Sequence, residues 1–285
     1  MTPPLLLRIA LIAAELLLGF GIFWLGQFCY QRLFRRLDLN VELFVRDNPA
    51  VAIALVGYDL GIVIALSGVL DKLADTWQEQ VTNLLIYGAS AIGLMLAGAW
   101  VGDRFILRRC DTAREVQEEQ NLGAAAAEAG LHIGNGLILS AALGGNSGTW
   151  LVGVICWVIG LAVLVLVSAI YPKITRYNVF GEICKRNNPA AGVALAGLLI
   201  GTGNVVRVAF TPEFRSWGES LPEYAILLGI SLIALAAIRW IADLVLVPGV
   251  KISDEIVNQA VPNVGAGLIE AFAYIAGSFL IAWSL

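Results

Sequence analysis

Charge is scarce in this chain of 285 residues: 14% of positions are Asp, Glu, Lys or Arg, against 59% hydrophobic, and mean hydropathy is +0.80. Such a composition excludes an ordinary soluble globular domain. Histidine occurs once, which excludes a metal site built from several imidazoles. The four cysteines, Cys29, Cys110, Cys156 and Cys184, lack metal-ligand and redox spacing and read as free thiols. There is no HExxH, no GxSxG and no glycine loop ending in GKS or GKT, so the usual hydrolytic and nucleotide-binding constellations are missing, and no cofactor motif takes their place. No basic surface is large enough for nucleic acid.

What fills the chain is apolar sequence. Eight runs of roughly 20 residues, the length that crosses a ~30 Å hydrocarbon layer as a helix, lie at 5-27, 49-70, 82-102, 121-143, 150-170, 189-210, 223-246 and 264-284. They lack the alternation of barrel strands, so the expected fold is an all-α membrane protein with eight transmembrane helices. The first run is too long for a signal-peptide core and reads as a mature helix. Thirteen Lys and Arg fall in the loops between runs 1-2, 3-4, 5-6 and 7-8, against Arg8, Lys72 and Arg215 on the other side. By the positive-inside rule those loops are cytoplasmic and both termini face outward.

The chain repeats itself. RDNPAVAIALVGYDLG (46-61) and RNNPAAGVALAGLLIG (186-201) match at eight of sixteen positions with an offset of 140. NLGAAAAEAGLHIGNG (121-136) matches NVGAGLIEAFAYIAGS (263-278) at offset 142, and Trp100 with Asp103 is echoed by Trp240 with Asp243. The repeat divides the chain into two four-helix units, 1-145 and 146-285. Because an even number of helices returns the chain to its starting side, the units are parallel, and a pseudo-twofold axis along the membrane normal is expected.

With RDNPA and EEQNLGAAAAEAG as its clearest residues, each half resembles the bacterial YjfL-like inner-membrane proteins, a domain-of-unknown-function family built on one four-helix unit. The resemblance implies an inner-membrane location and a tandem duplication of that unit. It implies no activity.

Asn48-Pro49 and Asn188-Pro189 read as helix starts, since Asn is a favoured N-cap and Pro a favoured first residue; the alternative is an anion or lipid headgroup at that positive end. Gly57 with Gly61 and Gly197 with Gly201 are GxxxG pairs, and helices 2 and 6 are expected to meet through them across the axis. Glu128 and Glu270 place the same acid inside a membrane helix in both halves, at a cost of at least ~2.5 kcal/mol each. Either they glue helices by hydrogen bonding or they titrate or contact a cation. The first half adds Glu15, Asp59 and His132 at a similar depth, with Asn135 continuing the stripe of Glu128 and His132; the second half carries Asn204 and Arg207 instead.

These groups support two readings. In the first, the chain is an ion or proton conduit, with a path from Glu128 through His132 toward Asp59 and Glu15. In the second, it is a non-transporting scaffold or sensor subunit whose basic loops meet anionic lipid or a cytoplasmic partner. An enzyme is not expected; the one arrangement left to it is a carboxyl pair, Glu15 with Asp59. The lipid bilayer is the certain partner class, with a homo-oligomer or a cytoplasmic protein beside it.

Overall fold

A computed structural model describes residues 5–70, 76–108, 110–144 and 148–285. Lys72, the side chain of Arg8 and the expected division between the halves at 145 and 146 lie outside the described residues. All regular structure among the described residues is helical. In chain order the helices are α1 (Leu5–Cys29), which runs into a π turn over Tyr30–Phe34, α2 (Leu39–Phe44), α3 (Pro49–Leu70), α4 (Trp77–Val101) with a π turn over Gly102–Ile106, α5 (Thr112–Gln117), α6 (Leu122–Ala142), α7 (Trp150–Thr175), α8 (Val179–Arg186), α9 (Pro189–Ala209), α10 (Trp217–Val245), α11 (Ile252–Val257) and α12 (Val264–Ser284).

Seven of these are long and apolar enough to cross a membrane. The eighth long helix, α6, has 21 residues, like α9 and α12, but is less apolar. Its place in the fold explains this: 16 of its residues are buried, so it faces protein on most sides and needs little lipid-compatible surface.

Helices α3, α6, α9 and α12 stand side by side in that order. Their contacts advance together along the chain: Gly57, Gly61 and Gly68 of α3 press on Ala129, His132 and Ser140 of α6, while Gly197 and Gly201 of α9 press on Ala271 and Tyr274 of α12. The four are therefore parallel, and the other long helices pack outside them. A Cβ on Gly57 would lie 2.3 Å from the Ala129 Cα, so the backbones meet only because that atom is missing.

This row corrects two expectations. Gly57 and Gly61 join α3 to α6, and Gly197 and Gly201 join α9 to α12, so α3 and α9 do not meet; α6 lies between them. A twofold relation between the halves would repeat the α6–α9 contact as an α3–α12 contact, yet α3 and α12 occupy opposite ends of the row. The halves succeed one another head to tail, a heterologous arrangement.

The row also exposes a shorter period. Before each inner helix comes a short helix carrying a glutamate, then an asparagine. Asn48, Asn121 and Asn188 donate from Nδ2 to Glu42, Glu115 and Glu182, and Asn263 donates to Glu255. In each case the asparagine Oδ1 caps the inner helix, accepting from Val51, Ala124, Ala191 or Ala266 N–H. The same Nδ2 of Asn48, Asn121 and Asn188 reaches the next short helix, at the carbonyls of Val116, Ile183 and Ile256. Four hairpins, each with an outer, a short and an inner helix, are thus laced at one end of the molecule.

Glycines follow the asparagine at the same two distances in the first three hairpins, as Gly57 and Gly61, Gly130 and Gly134, and Gly197 and Gly201. The fourth has Phe272 and Ala276, and Phe272 is 61% exposed. On the receiving side, Ala129, Ala196 and Ala271 are matched in the first hairpin by Val56, which is also exposed. Small residues line the three joints and bulky ones close both ends, as terminal repeats of an array require.

Candidate functional site

Two buried carboxylate clusters lie in the body of the molecule, one in each half. In the first, Glu128 on α6 is 1% exposed. Its Oε1 accepts from Tyr30 Oη at 2.6 Å and Arg35 Nε at 3.1 Å, pairs with Arg35 Nη2, and lies 3.4 Å from His132 Nε2. Arg35 also holds Asp103, Nη1 to Oδ2 at 3.1 Å and Nη2 to Oδ1 at 3.2 Å. Burial works against the Arg35 charge, but Glu128, Tyr30 and Asp103 outweigh it, and its pKa lies above the ordinary guanidinium value. The rings of Tyr30 and Tyr58 stack at 4.1 Å, and His132 stands edge-on to both at 5.4 Å.

The π turns set this geometry. A π turn adds a residue and so rotates the side chains beyond it about the helix axis; here one ends α1 just before Arg35 and the other carries Asp103 at the end of α4. Arg35, beyond the first turn, reaches Glu128 and Asp103.

The second cluster has the same chemistry with one part exchanged. Glu270 Oε1 accepts from Tyr171 Oη at 2.8 Å and Arg239 Nε at 3.0 Å. Arg239 Nη1 bonds Asp243 at 2.6 Å, and Nη2 reaches Ser253 Oγ at 3.0 Å. Glu270, Tyr171 and Asp243 are the repeats of Glu128, Tyr30 and Asp103. By the register that pairs Tyr30 with Tyr171, Arg35 corresponds to Arg176, which is exposed and takes no part. The guanidinium comes instead from α10, where the first half has Ala99.

The second site is also open. Leu198 stands where the first half has Tyr58, and Tyr274 where it has His132. A cavity of 110 Å³ lies between α7 and α10, bounded by Leu198, Tyr274, Tyr171 and Arg239. The space beside Arg35 and Glu128 is only 10 Å³. From Arg239 a further pocket of 880 Å³ extends past Arg176, Asp243 and Lys251.

The other polar residues singled out in the sequence do not join these clusters. Asp59 is held by Gln27 of α1 at 3.2 Å, and Glu15 is half-buried on α1 with no hydrogen bond or ion pair among the described residues. The expected midplane cluster of Glu15, Asp59 and His132 is therefore not assembled, because similar depth does not mean the same side of a helix. Asn135 accepts from Trp157 Nε1 at 2.9 Å, tying α6 to α7. Asn204 donates to Ser278 at 3.0 Å and accepts from Arg207 at 2.9 Å. Asn48 and Asn188 cap α3 and α9, with Pro49 and Pro189 as first residues. Cys110 and Cys184 lie side by side near α5 and α8, their Cα atoms 5.6 Å apart, where the two halves meet. No group of three His, Cys, Asp or Glu among the described residues could hold a metal.

Arg35, Tyr30, Arg239 and Tyr171 were missed by sequence reasoning. The matched tyrosines were a usable signal, and so was an arginine inside an apolar run, Arg239.

Comparison with known proteins agrees with the repeat. The model of the family described as Domain of Unknown Function (DUF350) matches residues 4–143 and again 147–285. The UPF0719 inner membrane protein YjfL of Escherichia coli strain K12 is 30% identical over 129 residues, covering 44% of this chain and 85% of the relative, and its counterpart from Escherichia coli O157:H7 matches equally. No solved structure matches.

Proposed function

We propose, from the premise that this chain belongs to the DUF350 family through both of its halves, that it is a non-conducting scaffold of the inner membrane. In this reading all eight long helices cross the bilayer, α6 included, and the two units share one orientation. The end bearing the short helices α2, α5, α8 and α11 faces the cytoplasm, both termini lie on the outer side, and the row of short helices is the surface offered to a cytoplasmic partner.

The observation that carries this is the pairing of each intramembrane glutamate with its own arginine and tyrosine. A carboxylate that relays protons must exchange them with water, a histidine or a neighbouring acid. Glu128 and Glu270 are each paired instead with a guanidinium group, and removing either partner of such a buried pair is costly. Glu128 does meet His132, but Asp59 bonds Gln27 and Glu15 bonds neither Glu128 nor His132, so the path has no further acid to lead to among the described residues. The asparagine lacing of the short helices is what a rigid platform needs.

The test is proton flux in liposomes under an imposed pH gradient. The scaffold reading expects the wild type and Glu128→Gln to leak no faster than protein-free vesicles. Flux through the wild type that Glu128→Gln abolishes would overturn it in favour of a conduit.

A further inference from the structure

We infer that the opening in the second half is a binding site for one phospholipid, with the phosphate between Arg176 and Lys251 and the start of one acyl chain in the slot between α7 and α10. The slot and the pocket are continuous: the 110 Å³ slot and the 880 Å³ pocket share Ile174, Ala236 and Arg239 as walls. The slot is lined by Val167, Leu232 and Leu235, and its rim by Ile170 and Ile174, which are 40% and 53% exposed. It therefore opens sideways, toward the hydrocarbon surrounding these helices. The pocket at its end adds polar groups, with Ser253, Asp254 and Asn258 beside the two cations. One ligand spanning both must be apolar at one end and charged at the other.

The charge balance selects the headgroup. Arg239 is already committed to Glu270 and Asp243. Arg176 and Lys251 make no ion pair among the described residues, and both are exposed on the pocket wall. Arg176 is the repeat of Arg35, which in the first half turns inward to Glu128. Because Arg239 supplies that charge in the second half, Arg176 is left facing the pocket. The pocket wall itself carries three cations, Arg176, Arg239 and Lys251, against two acids, Asp243 and Asp254, so its mouth is net positive and suited to a phosphodiester.

The slot alone would not retain a lipid. Lipid tails are as apolar as its lining, so burying a chain there gains little over leaving it in the bilayer. An apolar cavity of about 150 Å³ admits a benzene, so this slot takes a short stretch of chain near the glycerol and orients it. Affinity and selectivity then lie in the phosphate contacts, while the slot separates a lipid from a soluble phosphate ester.

Native mass spectrometry of the delipidated full-length protein, titrated with phosphatidylglycerol, tests the assignment. One lipid should bind with a defined affinity. The double variant Arg176→Gln with Lys251→Gln, both at exposed positions, should weaken binding at least tenfold, and Leu198→Trp, which fills the slot with the cations intact, should do the same. Arg114→Gln with Arg186→Gln, which removes equal charge elsewhere on the same end, should change nothing. Three results would overturn the proposal: binding unaffected by the Arg176 and Lys251 changes, diacylglycerol binding as tightly as the phospholipid, or competition by glycerol phosphate at the same concentration, which would make the ligand a soluble phosphate ester.

Discussion

The two halves carry one site built twice, and the copies differ in the route by which the guanidinium arrives and in how the space around it is filled. Around Glu128 the guanidinium arrives from the end of α1, the tyrosine stack of Tyr30 and Tyr58 fills the gap between helices, and His132 covers the remaining side. Around Glu270 it arrives from α10, the second ring has become Leu198, and space remains. What both copies keep is an acid in the inner helix, a tyrosine that donates to it, an aspartate on the far side of the arginine, and one guanidinium between them. The chemistry of the pair is thus constrained, while the helix that supplies the cation is free to change. In the second half, where α10 supplies the cation, the residue at the position of Arg35 is Arg176, and it lies at the surface.

If the first copy is a closed lock and the second an open one, removing the acid should hurt the first copy more. Glu128→Leu leaves Arg35 buried with Asp103 as its one charged partner and the Tyr30 hydroxyl beside it, and the expected loss is about 3–5 kcal/mol, the range for breaking a buried pair from one side. Reversible unfolding in mixed micelles measures it. Arg35→Leu combined with Glu128→Leu should recover most of that loss, since no uncompensated charge remains. The same change in the second copy, Glu270→Leu, is expected to cost about 2 kcal/mol, because Arg239 keeps Asp243 and Ser253 and borders a pocket wide enough for water. Equal losses in the two copies would show that openness does not matter to the lock.

Much of this architecture was legible in the sequence because hydrophobic length and repeated letters carry it. Apolar runs marked the long helices, α6 among them, although its hydropathy falls short of the others because protein surrounds it. The shorter hairpin period stayed hidden: the asparagines at 48, 121, 188 and 263 are unevenly spaced by loops of different length, and what they share is a hydrogen-bonding role. The glutamates stood out because an acid in an apolar run is expensive. Their arginines did not. Arg35 sat among loop cations that topology alone explains, Arg239 broke the repeat, and a π turn that rotates one side chain inward has no signature in composition. Asp59 shows the opposite failure, where position along the helix suggested a cluster with Glu15 and His132, and its bond goes instead to Gln27 of α1.

The aromatic stack offers a gentler way to compare the copies. Tyr58→Leu gives the first half the residue of the second. It removes a ring that packs at 4.1 Å on Tyr30 and should leave a void, at an expected cost of about 1–2 kcal/mol, since the site is fully buried and can only partly collapse.

The reverse change, Leu198→Tyr, should have the smallest effect on stability, within about 1 kcal/mol of the wild type, because the added ring enters existing space. In the first half the corresponding phenol has no hydrogen-bond partner among the described residues, so the second half need not supply one. A new ring that stacks on Tyr171 would make the two halves alike in packing while leaving Arg239 as the source of charge. If Leu198→Tyr is instead strongly destabilising in the micelle assay, the slot between α7 and α10 is held open by the packing of the helices around it. The difference between the halves would then lie in the helix positions, and Leu198 would be its consequence.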